Sequence, residues 1–220
     1  MQSKYPKYWN EACNYLSKKD AILSGLIRQF HNEKLLKNNS AFLTLARSII
    51  GQQISVKAAD SIWAKFELAL KNVAEKYNEK NHISPKNLFK LELQELKNCG
   101  LSEQKIKYLN NIADFFDKEF SDMEDLSHLN ENEIAEKLLS IKGVGKWTIE
   151  MFLLFHMHSA DIFPLADIGL LKAIENQYNV KRNTKKFDAK VNQLSKLWQP
   201  YRSVATWYLW RSIDPVPVEY

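Results

Sequence analysis

The sequence predicts an all-α fold on three observations. Apolar residues recur at helical spacing along most of the chain, no stretch alternates convincingly with a period of two, and Gly51, Gly100, Gly143, Gly145 and Gly169 fall at breaks between the helical runs. An interior glycine weakens a helix, so glycines confined to the breaks leave the runs themselves continuous.

The first strong run is Phe42, Leu45, Ala46, Ile49 and Ile50, with Ser40 placed to cap its start. Gly51-Gln52-Gln53-Ile54 breaks it, and Ser55 opens a second run through Val56, Ala59, Ile62, Trp63, Phe66 and Leu70. Residues 71–92 are rich in lysine and asparagine and read as a polar connector, with a helix start at Ser84-Pro85. Leu93 to Cys99 ends at Gly100, a residue suited to the left-handed position after a helix. Ser102 opens a long helix with Ile106, Leu109, Ala113, Phe116 and Phe120 on one face. Asn130 and Glu133 have the spacing of a capping box, flanked by the apolar pair Leu129 and Ile134. That helix runs through Leu138 and Leu139 into Ser140-Ile141-Lys142-Gly143-Val144-Gly145-Lys146-Trp147-Thr148, where the chain turns and a new helix begins. After a break at Pro164, Ile168 to Glu175 form a further helix, and Val204 to Ile213 the last, with Trp207 and Tyr208 expected in the core.

Composition bounds the function. The 31 Lys and Arg against 26 Asp and Glu give a net charge of +5, a mild basic bias that suits either a polyanionic partner or a solvated lysine-rich surface. Cys13 and Cys99 are the only cysteines. Two are too few for a disulfide framework, a four-thiolate iron–sulfur cluster or a four-cysteine zinc site, so free thiols in a reducing compartment are expected. Met1 to Leu16 lacks a secretory apolar core and no apolar run approaches membrane-spanning length, so the expectation is a soluble intracellular protein with no membrane partner. His156 and His158 have no carboxylate or thiolate at ligand spacing and read as an ordinary surface or core pair.

The most informative stretch is the two-glycine turn. A tight reversal between helices requires glycines, and the amides of Gly143 to Lys146 at the start of the second helix are expected to open toward an anion. This is the pattern of a helix–hairpin–helix, whose usual anion is a DNA phosphate, although a plain αα-corner could use the same glycines. Twenty positions beyond Trp147 stands Asp167, readable either as the N-cap of the following helix or as a catalytic carboxylate.

Four segments in register carry a family resemblance: Leu45-Ala46-Arg47-Ser48-Ile49-Ile50-Gly51-Gln52-Gln53-Ile54-Ser55, the turn at 141–147, Asp167-Ile168-Gly169, and Pro200-Tyr201-Arg202-Ser203 to Trp210-Arg211. Over roughly residues 40–212 the chain resembles the helix–hairpin–helix DNA glycosylase superfamily, in its 3-methyladenine DNA glycosylase II branch. The resemblance implies a base-excision repair enzyme, a monomer acting on double-stranded DNA that contains a damaged base. It would hydrolyse the N-glycosidic bond of an alkylated purine of the 3-methyladenine or 7-methylguanine type. Its place would be the bacterial cytoplasm, or the nucleus in a eukaryote. It implies two helical lobes, residues 40–146 and residues 1–39 with 147–220, a lesion cleft between them, and no N-terminal β domain, since the first core motif starts near residue 41.

The resemblance also distributes roles. Asp167 would stabilise the positive charge that builds on the sugar; Asp161 is the nearest competitor but lies off the pattern. Bifunctional relatives carry a Schiff-base lysine where this chain has Trp147, and an indole cannot act as an amine nucleophile, so water is the expected nucleophile and no lyase activity is expected. Trp147 and Trp210 would flank the flipped base, with Gln52 nearby and Met151 where relatives often have an aromatic residue. Trp147 could equally fill a core joint. Gln53 aligns with the side chain that fills the gap in the base stack, although both glutamines could simply cap helix ends. Gly143, Val144, Gly145, Thr148, Lys142, Lys146 and Lys57 are the candidate phosphate contacts, each lysine being equally readable as solvated. No cofactor is required; backbone carbonyls of Leu139, Ile141 and Val144 would hold a sodium or potassium ion at the hairpin. Two other readings stay open: a glycosylase for a deaminated or oxidised base, and a non-catalytic helix–hairpin–helix DNA-binding module.

Overall fold

The computed structural model describes residues 5–36, 40–119, 129–214 and 216–217. Among them every regular element is an α-helix. In chain order these are α1 (Trp9–Lys19), α2 (Ala21–Gln29), α3 (Ala41–Gly51), α4 (Val56–Lys76), α5 (Pro85–Leu88), α6 (Leu93–Asn98), α7 (Glu103–Glu119), α8 (Glu131–Leu139), α9 (Lys146–Phe155), α10 (Ile168–Tyr178), α11 (Lys185–Trp198) and α12 (Arg202–Arg211). None of the described helices is long and apolar enough to cross a membrane.

The chain divides into two compact units, one of Met1–Lys37 with Leu153–Glu219 and one centred on Asn38–Phe152, the division falling inside α9. In the second unit, α3 packs on α4 and α7, and α7 on α5 and α6. The core there is Phe42, Leu45, Ile49, Phe66, Leu70, Leu109, Ile112, Phe116, Ile134 and Leu138. The caps read from the sequence are present: Ser40 Oγ accepts from Leu43 N at 3.1 Å, Ser55 Oγ from Ala58 N at 3.3 Å, and Asn130 with Glu133 closes a reciprocal capping box. Gly100 takes the left-handed conformation, at φ 95°. The polar connector is shorter than residues 71–92, because α4 continues to Lys76. Val73 and Ala74 extend the buried face of Phe66 and Leu70, and burial outweighs the polar neighbours. Phe120, expected on the face of α7, lies outside the described residues.

In the other unit α1 packs on α2, and α12 packs on α1, α2, α10 and α11. Helix α12 is buried on every side: its residues Ser203 to Trp210 are all buried, the polar Ser203 and Thr206 included, as befits a helix packed on four others. Asp20 joins three elements: its Oδ1 caps α2 through Ile22 N and Leu23 N, and its Oδ2 accepts from Tyr178 Oη at 2.7 Å and Trp198 Nε1 at 3.0 Å. Cys13 is part-buried beside Tyr208, with Sγ and Oη 3.5 Å apart, and burial raises its thiol above the ordinary value; burial also raises that of Cys99.

Candidate active site

The carboxylate is built by a turn and two helices. The amide of Asp167 donates to Pro164 O at 2.9 Å, so the Pro164 turn delivers Asp167 as the N-cap of α10. Its Oδ1 accepts from Leu170 N at 2.6 Å and from Trp210 Nε1 at 2.8 Å. The first bond is the cap expected of an aspartate ahead of a helix. The second comes from α12, where the indole of Trp210 is stacked on Phe155 with ring centroids 5.8 Å apart and planes 8° from parallel. Gly169 makes that approach possible. A Cβ there would lie 3.1 Å from Asp167 Oδ1 and 3.5 Å from the indole Cδ1 and Nε1. Asp167 remains part-exposed while Trp210 is buried, so the carboxyl group is fixed in direction and still reachable from solvent. Asp161, the competing carboxylate, is in a two-toothed pair with Arg202, Nε to Oδ1 at 2.7 Å and Nη2 to Oδ2 at 2.8 Å. That pairing neutralises it where it stands.

The hairpin belongs to the other unit. Helix α8 ends at Leu139, the Ile141 amide donates to Leu138 O at 3.1 Å, and Val144 N to Ile141 O at 3.0 Å. Gly143 has φ 106°, and its α-carbon rests on Tyr108 so closely that a Cβ would fall 2.2 Å from the ring. Side-chain amides then take up the turn's carbonyls. Asn111 Nδ2 donates to Lys142 O at 2.9 Å, and Gln52 Nε2 donates to Gly143 O at 3.1 Å and to Thr148 Oγ1 at 2.9 Å. Lys105, in the same long helix as Tyr108 and Asn111, donates from Nζ to Ile50 O at 2.6 Å, and burial holds its ammonium below the ordinary value. Lys142, Gly145, Lys146 and Lys57 are exposed, Lys146 lying 3.9 Å from Glu150 Oε1 with 85% of its side chain accessible.

Several sequence expectations change at this level. The amides of the turn do not all open outward, because that of Val144 is spent on Ile141. Val144 is itself buried, and Thr148 is 1% exposed with its hydroxyl engaged by Gln52, so its side chain is no phosphate contact. Met151 is 1% exposed, between part-exposed Glu150 and buried Phe152; it fills core and presents no open surface to a base. Trp210 spends its indole N–H on Asp167 and one face on Phe155. Gln52 caps α3 with its backbone amide, donating to Ser48 O at 3.1 Å, and sends its side chain to the hairpin instead of to a base. Trp147 is part-exposed, and Gln53 is exposed with the left-handed φ of 59°. Tyr108, Asn111 and Lys105 escaped the sequence reading; the one signal was Gly143, which announces a close approach without saying to what.

For the expected hairpin ion, the carbonyls are neutral, hard oxygen donors of the kind an alkali cation takes; that of Leu139, the last residue of α8, lies beyond the helical ladder, while that of Ile141 already accepts from Val144 N. Among the described residues no group of three or more His, Cys, Asp or Glu could hold a metal ion.

Residues 46–200 match the family model of the HhH-GPD superfamily base excision DNA repair protein. The chain belongs to that superfamily. DNA-3-methyladenine glycosylase 1 of Schizosaccharomyces pombe is 27% identical over 215 residues, covering 92% of this chain and 90% of that protein. YfjP of Bacillus subtilis is 29% identical over 192 residues, covering 87% of this chain and 66% of YfjP. Among solved structures, the S. pombe 3-methyladenine DNA glycosylase in complex with abasic DNA superposes with a TM-score of 0.75 at 26% identity, covering 92% of this chain and 96% of that one. A 3-methyladenine DNA-glycosylase from Archaeoglobus fulgidus, at 23% identity and TM-score 0.72, shares the fold. Trp210 lies past the end of the family match.

Proposed function

We propose that this superfamily member is an alkylbase DNA glycosylase that releases cationic alkylated purines from duplex DNA by a monofunctional, water-dependent mechanism. The observation that carries the reading is the Asp167 carboxylate, fixed by Leu170 N–H and the Trp210 indole and open to solvent. As the C1′–N bond breaks, its electron pair returns to the purine and cancels the charge left by alkylation, so the base departs neutral. Positive charge builds on the sugar, and Asp167 stabilises it. Water then bonds to C1′, and its proton passes to Asp167 or to solvent.

Trp147 replaces the amine of a bifunctional enzyme, and its part-exposed ring offers a π face to a cationic base. Gln53 fills the vacated stack. Lys142, Lys146, Lys57 and the backbone at Gly143 and Gly145 meet phosphates, giving sequence-tolerant binding. An alkali ion on the Leu139, Ile141 and Val144 carbonyls would add positive charge for the same phosphate. The purified protein incubated with methylated duplex DNA, with released bases identified by chromatography, tests the reading. Release of 3-methyladenine or 7-methylguanine without strand nicking is expected from the wild type and not from Asp167→Asn. Release of a different base class, or none, would overturn it.

A further inference from the structure

Gln52 and Gln53 are neighbours with opposite fates. Gln53 is exposed, in a left-handed conformation that costs an L-residue with a Cβ. The Gln52 side chain turns back and spends both amide protons within the hairpin, one on Gly143 O and one on Thr148 Oγ1. Gln52 and Gly143 are separated by 91 positions in sequence, so this bond joins two loops that no helix connects directly. On the far side of the turn Asn111 secures Lys142 O, and Tyr108 closes the space beneath Gly143. Both turn carbonyls next to the phosphate-facing backbone are thus occupied by neutral amide donors.

We propose that Gln52 is a positioning residue that makes the hairpin and the Gln53 loop a single DNA-reading unit, so that the backbone gripping phosphate also fixes the one presenting Gln53. Gln52 itself touches no nucleotide in this assignment. The inference rests on the glycosylase reading above for the role of Gln53. Chemistry sets the test. In Gln52→Glu a carboxylate keeps the shape but has no proton to give, and it faces the Gly143 carbonyl. Protonated at lower pH, it regains one donor.

Binding to a duplex with a tetrahydrofuran abasic analogue, read by fluorescence anisotropy, needs no catalysis and measures the link alone. Gln53→Ala and Gln52→Glu are each expected to weaken binding about tenfold, and the double variant little more than either single one. The Gln52→Glu defect, taken relative to wild type at each pH, is expected to shrink as the carboxyl group protonates. Independent, multiplying effects, or a defect unchanged by pH, would overturn the link. If Gln52→Glu fails to fold, Gln52→Met, which lacks both donors and charge, takes its place in the cycle, where a double variant little weaker than either single one supports the link and multiplying effects overturn it. A wild type that releases no base but shows the coupling overturns the glycosylase reading and supports the link; full release with multiplying effects does the reverse.

Discussion

Asp20 and Asp167 are built from the same parts and are held differently. Each is the N-cap of a helix, and each accepts an indole N–H, from Trp198 and Trp210 respectively. At Asp20 the donors are divided, two backbone amides on Oδ1 and the Tyr178 hydroxyl and Trp198 indole on Oδ2, and the residue is 7% exposed. At Asp167 the amide and the indole converge on Oδ1, and the residue is part-exposed. An aspartate ringed by donors is a structural joint. One aimed by an amide and an indole and left part-exposed is a candidate for chemistry. The lesson is that a capping role and a catalytic role are no alternatives at Asp167: the cap aims the carboxylate.

Substitutions can break this contrast. The largest effect is expected from Asp167→Asn, which keeps a good cap and so should change stability by less than about 0.5 kcal/mol, while base release falls by at least about 100-fold; denaturant melts and chromatography of released bases check the two halves. Asp20→Ala is the mirror image. It leaves the Tyr178 hydroxyl, the Trp198 indole and the start of α2 without their acceptor, and should lower stability by about 3 kcal/mol while the folded fraction turns over at the wild-type rate. Trp210→Phe removes the indole bond to Oδ1, and single-turnover rates should drop about tenfold. Gly169→Ala is the smallest and sharpest. A methyl group near the second position of α10 favours the helix by up to about 1 kcal/mol, yet at 3.1 Å it crowds Oδ1 while only touching the indole, so the rate should fall about threefold while the melting temperature holds or rises. A rate loss matched by lost stability would deny Gly169 its spacing role.

Much of the fold was legible because helices announce themselves locally. Ser40, Ser55 and Asn130 act within three residues of their own positions, and apolar spacing marks the faces they start. The end of α4 was missed because Val73 and Ala74 are small signals among lysines, and only packing shows which way they face. At the site, Asp167 and the hairpin glycines could be read in place. Their supports could not: Trp210 is 43 positions from Asp167, and Gln52 is 91 from Gly143. The Thr148 side chain and Met151 are buried in a way that spacing alone does not show. Thr148, next to Trp147, turns to another face of α9; Met151, four positions on, shares the face of Trp147, and only packing shows that this face closes over one turn further along.

The two sheltered thiols have a practical consequence. Burial raises the thiols of both Cys13 and Cys99 above the ordinary value and so lowers their thiolate fraction below that of an exposed thiol, and a thiol reacts with a maleimide only as its thiolate. A cysteine introduced at the exposed Gln53 or Lys142 would therefore outcompete both, and a fluorophore or spin label could follow either loop onto DNA with the native cysteines left in place.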